Sequence, residues 1–283
     1  MMQTEVESQN WTPRSRRFIV AGGGPSLLTL DVRRVDLQDT IVRVNNFFFE
    51  NTYRLGRRVD LVQVGGDRWI FPFYAKTLHR LLAEGVYSVG SWSSHQAQVA
   101  RRGQRSLPLP FVGVRYRDRD AEKAISALIE RYRKTPTTGI WAIISAHGLG
   151  ADTITLAGID LYTGSERYAH ELTGHSAALV SHIGTGGYNT QFHDVALDRD
   201  IIVYLAQRGD VKIQRASVES GALDFLPVAP KHGEGFRIEP KSKVINDWDG
   251  WAGLYPIGAM RLARRTNEIR RHVGRVLFGE RAK

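Results

Sequence analysis

Short apolar runs that end in small or polar residues recur along the first 90 positions, and they predict strands. Phe18-Ile19-Val20-Ala21 runs into Gly22-Gly23-Gly24-Pro25-Ser26 and a Leu-rich turn. Strand, glycine turn and helix start, in that order, open a Rossmann-type sheet. Ile41-Val42-Arg43-Val44 ends in Asn45-Asn46 and the aromatic cluster Phe47-Phe48-Phe49. Asp60-Leu61-Val62-Gln63-Val64 ends in Gly65-Gly66-Asp67, and Val86-Tyr87-Ser88-Val89 predicts a fourth strand. Endings of this kind suit parallel strands whose carboxyl ends line a ligand crevice.

Downstream the period changes. Residues 93–119, with Arg101, Arg102, Arg105, Pro108 and Pro110, read mostly as loop. Ala121, Ala124, Ile125, Leu128, Ile129 and Tyr132 then recur at helical spacing, opposite Glu122, Lys123, Glu130 and Arg131. Gly139 to His147 is apolar on every side, which predicts a buried helix. Thr153 to Gly158 predicts a core strand running into Ile159-Asp160-Leu161-Tyr162. Residues 163–192 lose periodicity and are rich in Gly, Thr, Ser, His and Tyr, as expected of a functional lid or a partly disordered loop. A helix from about Leu197 to Gln207 and a strand at Val211-Lys212-Ile213 complete the alternation.

Alternating strands and helices predict an α/β fold, a Rossmann-like α/β/α sandwich with a mostly parallel sheet and a small lid subdomain. The expected boundaries are a polar amino terminus over 1–15, the α/β domain over 16–214 and a basic extension over 215–283. The extension holds Pro227, Pro230, Trp248, Trp251 and Tyr255, then a helix in which Leu262, Ile269, Val273, Val276 and Leu277 oppose Arg264, Arg271 and Arg275.

Composition narrows the class. The chain has no cysteine, which excludes a disulfide framework, a thiolate nucleophile and a Cys-based zinc site. Its net charge of +10 suits an anionic polymer, an anionic membrane surface or a phosphorylated substrate. The opening MMQTEVESQN is polar and acidic and no run approaches a membrane-spanning length, so a cytoplasmic location is expected.

Several residues suggest chemistry. Glycines at a strand-to-helix turn allow an anion to approach backbone N–H groups, and Gly22-Gly23-Gly24-Pro25-Ser26 fits that pattern or a plain tight turn. Tyr162 and Tyr168 are packing residues or neutral donors that steady a departing phosphate as charge develops. His193 has the ordinary titration range of a general base. Asp160, at a strand's carboxyl end, suits a ribose, a base or a turn. No metal ligand set is expected: H-E-x-x-H is absent, and His170 with His175 lacks a recurrent ligand spacing.

Taken in order, Gly22-Gly23-Gly24-Pro25-Ser26-Leu27, Arg43 to Glu50 (RVNNFFFE), Tyr53-Arg54-Leu55-Gly56, Thr137-Thr138-Gly139 and Leu156 to Tyr162 (LAGIDLY), followed by Tyr168 and His193, resemble a known family. It is that of the bacterial sialyltransferases of glycosyltransferase family 42, which build sialylated lipooligosaccharides. The likeness covers roughly residues 17–214. It implies a metal-independent, inverting transfer from a CMP-sialic acid donor to a glycan or lipid-linked glycan acceptor, with no cofactor. It also implies a homo-oligomer. By position, His193 matches the catalytic base, and Tyr162 with Tyr168 the pair that stabilises the leaving phosphate. Gly22, Gly23, Gly24, Ser26, Asn45, Thr137, Thr138, Gly158 and Asp160 fall at donor-binding positions.

The sequence also departs from the family pattern. Gly23 and Gly65 stand where the family has asparagines, Thr135 where it has arginine, and Thr138 where it has serine. At about 1.5–3 kcal/mol for each charge-assisted hydrogen bond, such losses bear on donor identity. A transferase for another CMP-activated acidic sugar is therefore a second reading. A third is a noncatalytic nucleotide- or nucleic-acid-binding protein, disfavoured because RNA-stacking motifs and a helix-turn-helix pattern are absent. The basic terminal helix suits peripheral contact with the inner face of the cytoplasmic membrane or packing on the core.

Overall fold

The computed structural model describes residues 11–66, 70–163, 167–171, 190, 192–218, 221–233, 235–249, 266 and 269. Its strands are β1 (Arg17–Ala21), β2 (Thr40–Val44), β3 (Thr52–Tyr53), β4 (Arg58–Gln63), β5 (Ser88–Ser93), β6 (Thr153–Ala157), β7 (Lys212–Arg215) and β8 (Glu239–Pro240). Its α-helices are α1 (Phe71–Ala83), α2 (Ala97–Ser106), α3 (Arg119–Tyr132), α4 (Thr138–Gly148) and α5 (Val195–Gln207). Six strands form one sheet in the order β5-β4-β2-β1-β6-β7, and each neighbouring pair is parallel.

Successive strand residues face opposite sides of a sheet, so a central parallel strand must be apolar on both faces. Along β1, Phe18 and Val20 enter one core while Ile19 and Ala21 enter another. The first core lies beneath α4, which crosses β1, β2, β4 and β6 and is covered in turn by α5. This explains why α4 is apolar all round: a helix between a sheet and a second helix has no wet face. On the other side, α1 and α2 pack with Phe47, Phe48, Phe49 and the fully buried Trp92.

Beyond 215 the chain returns to this aromatic layer. β8 pairs antiparallel with β3, Ile245 and Trp248 are buried among the aromatic rings, and Lys241 Nζ donates to the Phe48 carbonyl at 2.9 Å. Most of the expected lid, together with His175, Trp251, Tyr255 and nearly all of the basic terminal helix, lies outside the described residues.

The sheet and the helices at 121–132, 139–147 and 197–207 follow the sequence pattern. Three differences have physical reasons. No α-helix follows the glycine turn: Pro25–Leu27 and Val32–Arg34 are single 3-10 turns, because Leu27 and Leu28 donate back only three residues, to Gly24 and Pro25. The stretch read as loop over 93–119 contains α2, whose buried residues Val99 and Gly103 are too few for periodicity to register against its arginines. α1 adds a helix to those expected, with Phe71, Tyr74, Ala75, Leu78 and Leu81 on its buried face.

Gly103 is where α2 rests on Trp92, and a methyl group there would overlap the indole ring. Alanine is intrinsically favoured over glycine in a helix by about 1 kcal/mol. Overpacking a rigid buried ring costs about 1–3 kcal/mol. Gly103→Ala should therefore lower the urea midpoint at unchanged slope, despite its better helix propensity.

Candidate active site at the carboxyl ends of the strands

β1 is the first strand yet lies inside the sheet. The chain proceeds from it to β2, β4 and β5 on one side and to β6 and β7 on the other. Where strand order reverses, open α/β sheets leave a crevice beyond the carboxyl ends of the strands. Here β1 and β6 run on past their last paired residues in close contact. Gly22 N–H donates to the Ala157 carbonyl and Gly24 N–H to the Gly158 carbonyl, both at 2.9 Å. A Cβ on Gly158, whose φ is +58°, would stand 2.7 Å from the Gly22 oxygen, and one on Gly24 would overlap the Asp160 carboxylate.

The glycines thus let two backbones meet. Ser26 N–H donates to Asp160 Oδ2 at 2.9 Å. The amides of Gly22, Gly24 and Ser26 are therefore bonded to protein oxygens. Asp160 closes the turn between the two strand tips.

Tyr162 follows directly. Leu161 and Tyr162 both have positive φ, +48° and +57°, and Thr163 N–H closes on the Asp160 carbonyl at 3.1 Å. Two consecutive left-handed residues without glycine are strained, at roughly 1–2 kcal/mol each. Such strain concentrates at functional sites. The turn leaves the Tyr162 side chain exposed. Tyr168 reaches the crevice because Ala169 N–H bonds to the Gly23 carbonyl at 2.8 Å, so its ring lies 3.7 Å from where a Gly23 Cβ would be. Burial raises its phenol pKa, so it remains a protonated donor near neutral pH.

The opposite wall is the amino end of α4. Thr138 packs against Gly65 at the tip of β4, and Gly139 lies against Ile159, where an added Cβ would be 2.9 Å from Cδ1. Asn45, at φ +47°, ties β2 to β4 by accepting the Gly65 N–H on Oδ1 at 2.8 Å, which leaves Nδ2 as the part that can serve a ligand. A helix amino terminus favours negative charge. Thr137, the N-cap residue, makes no side-chain cap bond to its own helix. The helix end at the crevice is therefore that of α4, whose N-cap Thr137 and first residue Thr138 are both among the donor-binding positions expected from the sequence.

His193 stands on the α4 side. Its Nδ1 lies 2.7 Å from the Thr135 carbonyl oxygen. A carbonyl only accepts, so Nδ1 carries the proton and the lone pair is on Nε2. Burial lowers the imidazole pKa, opposed by the Thr135 bond and assisted by Lys134, so the ring is neutral at pH 7. Next to it His95, at the tip of β5, is stacked on Trp141 with centroids 5.2 Å apart and planes 8° apart. Burial, with His193 close by, holds His95 down to about 4. Among the described residues, no cluster of three or more His, Asp or Glu is placed to hold a metal ion.

Two networks therefore meet the same strand ends. Gly22, Gly23, Gly24, Ser26, Gly158, Asp160 and Tyr168 form one; Asn45, Thr137, Thr138 and His193 belong to the other, with Gly65 and Thr135 as their backbone partners. The buried Asp198 accepts from Thr137 N at 3.1 Å and from Thr137 Oγ1 at 2.6 Å, so Thr137 faces α5. Asp198 was missed, but it carried a signal: it replaces an apolar residue in the stripe Asp198, Ile201, Ile202 and Leu205.

Burial pushes the Asp198 carboxyl up to about 7, against the two Thr137 bonds. A carboxyl whose folded pKa exceeds its unfolded value stabilises most at low pH, and that contribution fades as pH rises through the folded pKa. Asp198→Asn should accordingly gain on the parent by a few kcal/mol between pH 4 and pH 8, at about 1.4 kcal/mol per pKa unit, read by urea unfolding at each pH.

Residues 16–92 match the model of the family described as Alpha-2,3-sialyltransferase (CST-I). No curated protein matches the chain. Among solved structures, the monofunctional alpha-2,3-sialyltransferase Cst-I from Campylobacter jejuni is similar at TM-score 0.72 and 20% identity, over 95% of this chain and 99% of that one. The sialyltransferase CstII from Campylobacter jejuni, in complex with the substrate analogue CMP-3FNeuAc, is similar at TM-score 0.66 and 21% identity, over 89% and 99%. Cst-II in complex with a trisaccharide acceptor and CMP is similar at TM-score 0.63 and 20% identity, over 88% and 98%. The chain therefore has the fold of these sialyltransferases, and over residues 16–92 it carries the sequence signature of the alpha-2,3-sialyltransferase (CST-I) family.

Proposed function

We propose that this protein transfers sialic acid from CMP-sialic acid to a hydroxyl of a glycan acceptor such as lipooligosaccharide, with inversion and without a metal ion. The observation that carries the reading is the Nδ1 bond of His193 to the Thr135 carbonyl, which puts the proton of a neutral imidazole on Nδ1 and the basic lone pair on Nε2. In the reaction, the acceptor oxygen bonds to the anomeric carbon from the face opposite the nucleotide. The bond from that carbon to the phosphate oxygen breaks, its electron pair leaves with CMP, and the hydroxyl proton passes to His193 Nε2.

Tyr168, protonated and beside Gly23, and Tyr162, raised on its strained turn, donate hydrogen bonds to the leaving phosphate as its charge grows. The amino end of α4 attracts the donor's anionic groups. Support comes from the match of residues 16–92 to the family and from the CMP complexes of proteins with the same fold.

One observation favours a second donor. Thr138 occupies the space that a side chain on Gly65 would need, whereas Gly23 leaves room against Tyr168. A pocket whose walls differ at these two points suits another CMP-activated acidic sugar.

Three measurements decide. Turnover of a panel of CMP-sugars in EDTA should be highest with CMP-sialic acid; turnover with a non-sialic donor alone selects the second reading. His193→Ala should lower kcat by about 10²–10⁴-fold with CMP affinity within a few-fold of the parent by calorimetry; unchanged kcat overturns the transfer mechanism. In the parent, kcat should fall on the acid side below the ordinary histidine range, since burial depresses the His193 pKa and the protonated ring cannot act as base.

A further inference from the structure

α5 follows His193 within two residues, and the segments 132–137 and 190–200 are joined at four levels. Tyr132 Oη donates to Asp200 at 2.6 Å and Lys134 Nζ to the Thr190 carbonyl at 2.6 Å. Thr135 N–H donates to the Phe192 carbonyl and His193 Nδ1 to the Thr135 carbonyl, each at 2.7 Å. Thr137 donates twice to Asp198. The last level alone is buried on both sides, with Asp198 1% and Thr137 8% exposed. Hydrogen bonds shielded from water are the strong and directional ones.

Two features of this level work against stability. A carboxylate in an apolar helix stripe carries a desolvation cost that an apolar residue would avoid. A threonine at an N-cap normally accepts a hydrogen bond from its own helix's first turn. Thr137 instead donates across to α5. Without Asp198, its hydroxyl is released to cap α4, and the backbone at 135–137 turns with it.

We propose that Asp198 is the positioning residue for His193: through Thr137 it fixes the Thr135 carbonyl, which in turn selects the Nδ1–H tautomer of the imidazole. The inference deepens the reading of His193 as general base, and it rests on that reading only for its effect on turnover. Placement of the ring is a separate observable.

The test is the imidazole tautomer of His193 in the full chain, read from ¹⁵N shifts and long-range ¹H–¹⁵N couplings, with His193→Gln for assignment. In the parent, Nδ1 should carry the proton. Asp198→Ala should move the population towards Nε2–H, and Asp198→Asn, which can accept from Thr137 N and donate to its hydroxyl, should restore the parent pattern. Thr137→Val, which deletes one of the two bonds and keeps the packing shape, should shift the same signals to a smaller extent and decides the matter if Asp198→Ala does not fold. With CMP-sialic acid, Asp198→Ala should lose about 10²-fold in kcat, as for a misplaced catalytic group, with a smaller change in donor KM. A parent tautomer retained in both Asp198→Ala and Thr137→Val overturns the proposal. A tautomer shift in a protein that fails to turn over any CMP-sugar supports it and overturns the transfer reading instead.

Discussion

The site depends on the meeting of β1 and β6 beyond the sheet. Gly22 and Gly158 face each other at a distance no side chain could occupy, and two amide–carbonyl bonds at 2.9 Å carry the pairing onward into the loops. Because the strands stay joined there, Asp160 meets Ser26, Tyr162 is thrown outwards, and Gly23 presents a carbonyl that anchors Tyr168 through Ala169. A methyl group on Gly22, Gly24 or Gly158 would pry the strand tips apart and scatter the tyrosines with them.

Against this closed seam stands the open end of α4. Its buried flanks hold it across four strands, while Thr138 and Gly139 are pressed between the tips of β4 and β6. Several groups around it are arranged at a cost to stability: Asp198 is a carboxyl among aliphatic side chains, Leu161 and Tyr162 are left-handed, and His95 is a half-buried imidazole held well below its ordinary pKa. Such concentration of unfavourable terms in one region is what preorganisation requires, since groups already placed and desolvated need no rearrangement during reaction.

The part of the chain beyond 215 belongs to the same structure. Trp248 donates its indole N–H to Asn46 Oδ1 at 3.0 Å and packs on Phe49, which contacts His170, which in turn contacts Tyr168. The aromatic run after β2 is thereby sandwiched between the strand tips and the returning segment. Lys241, pushed down to about 7 by burial with Arg43 nearby, secures the Phe48 carbonyl beneath it.

Apolar runs of four or five residues ending in Gly, Asn or Asp were sufficient to locate β1, β2, β4 and β6, helical spacing located α3 and an all-round apolar run located α4, because burial on both faces or on one stripe leaves a direct imprint on residue type. α2 escaped because a helix that rests on a ring through Val99 and a glycine needs almost no apolar stripe. Tyr162, Tyr168 and His193 were legible only as types in a familiar order. What they face was decided by contacts between residues far apart in the chain: Gly23 with Ala169, Thr135 with His193, Thr137 with Asp198. The glycine turn shows the limit most clearly, since its residues suit a phosphate or a neighbouring strand equally well. Local sequence specifies which backbone shapes are allowed, but a hydrogen-bond donor takes whichever acceptor the packed structure brings within 3 Å.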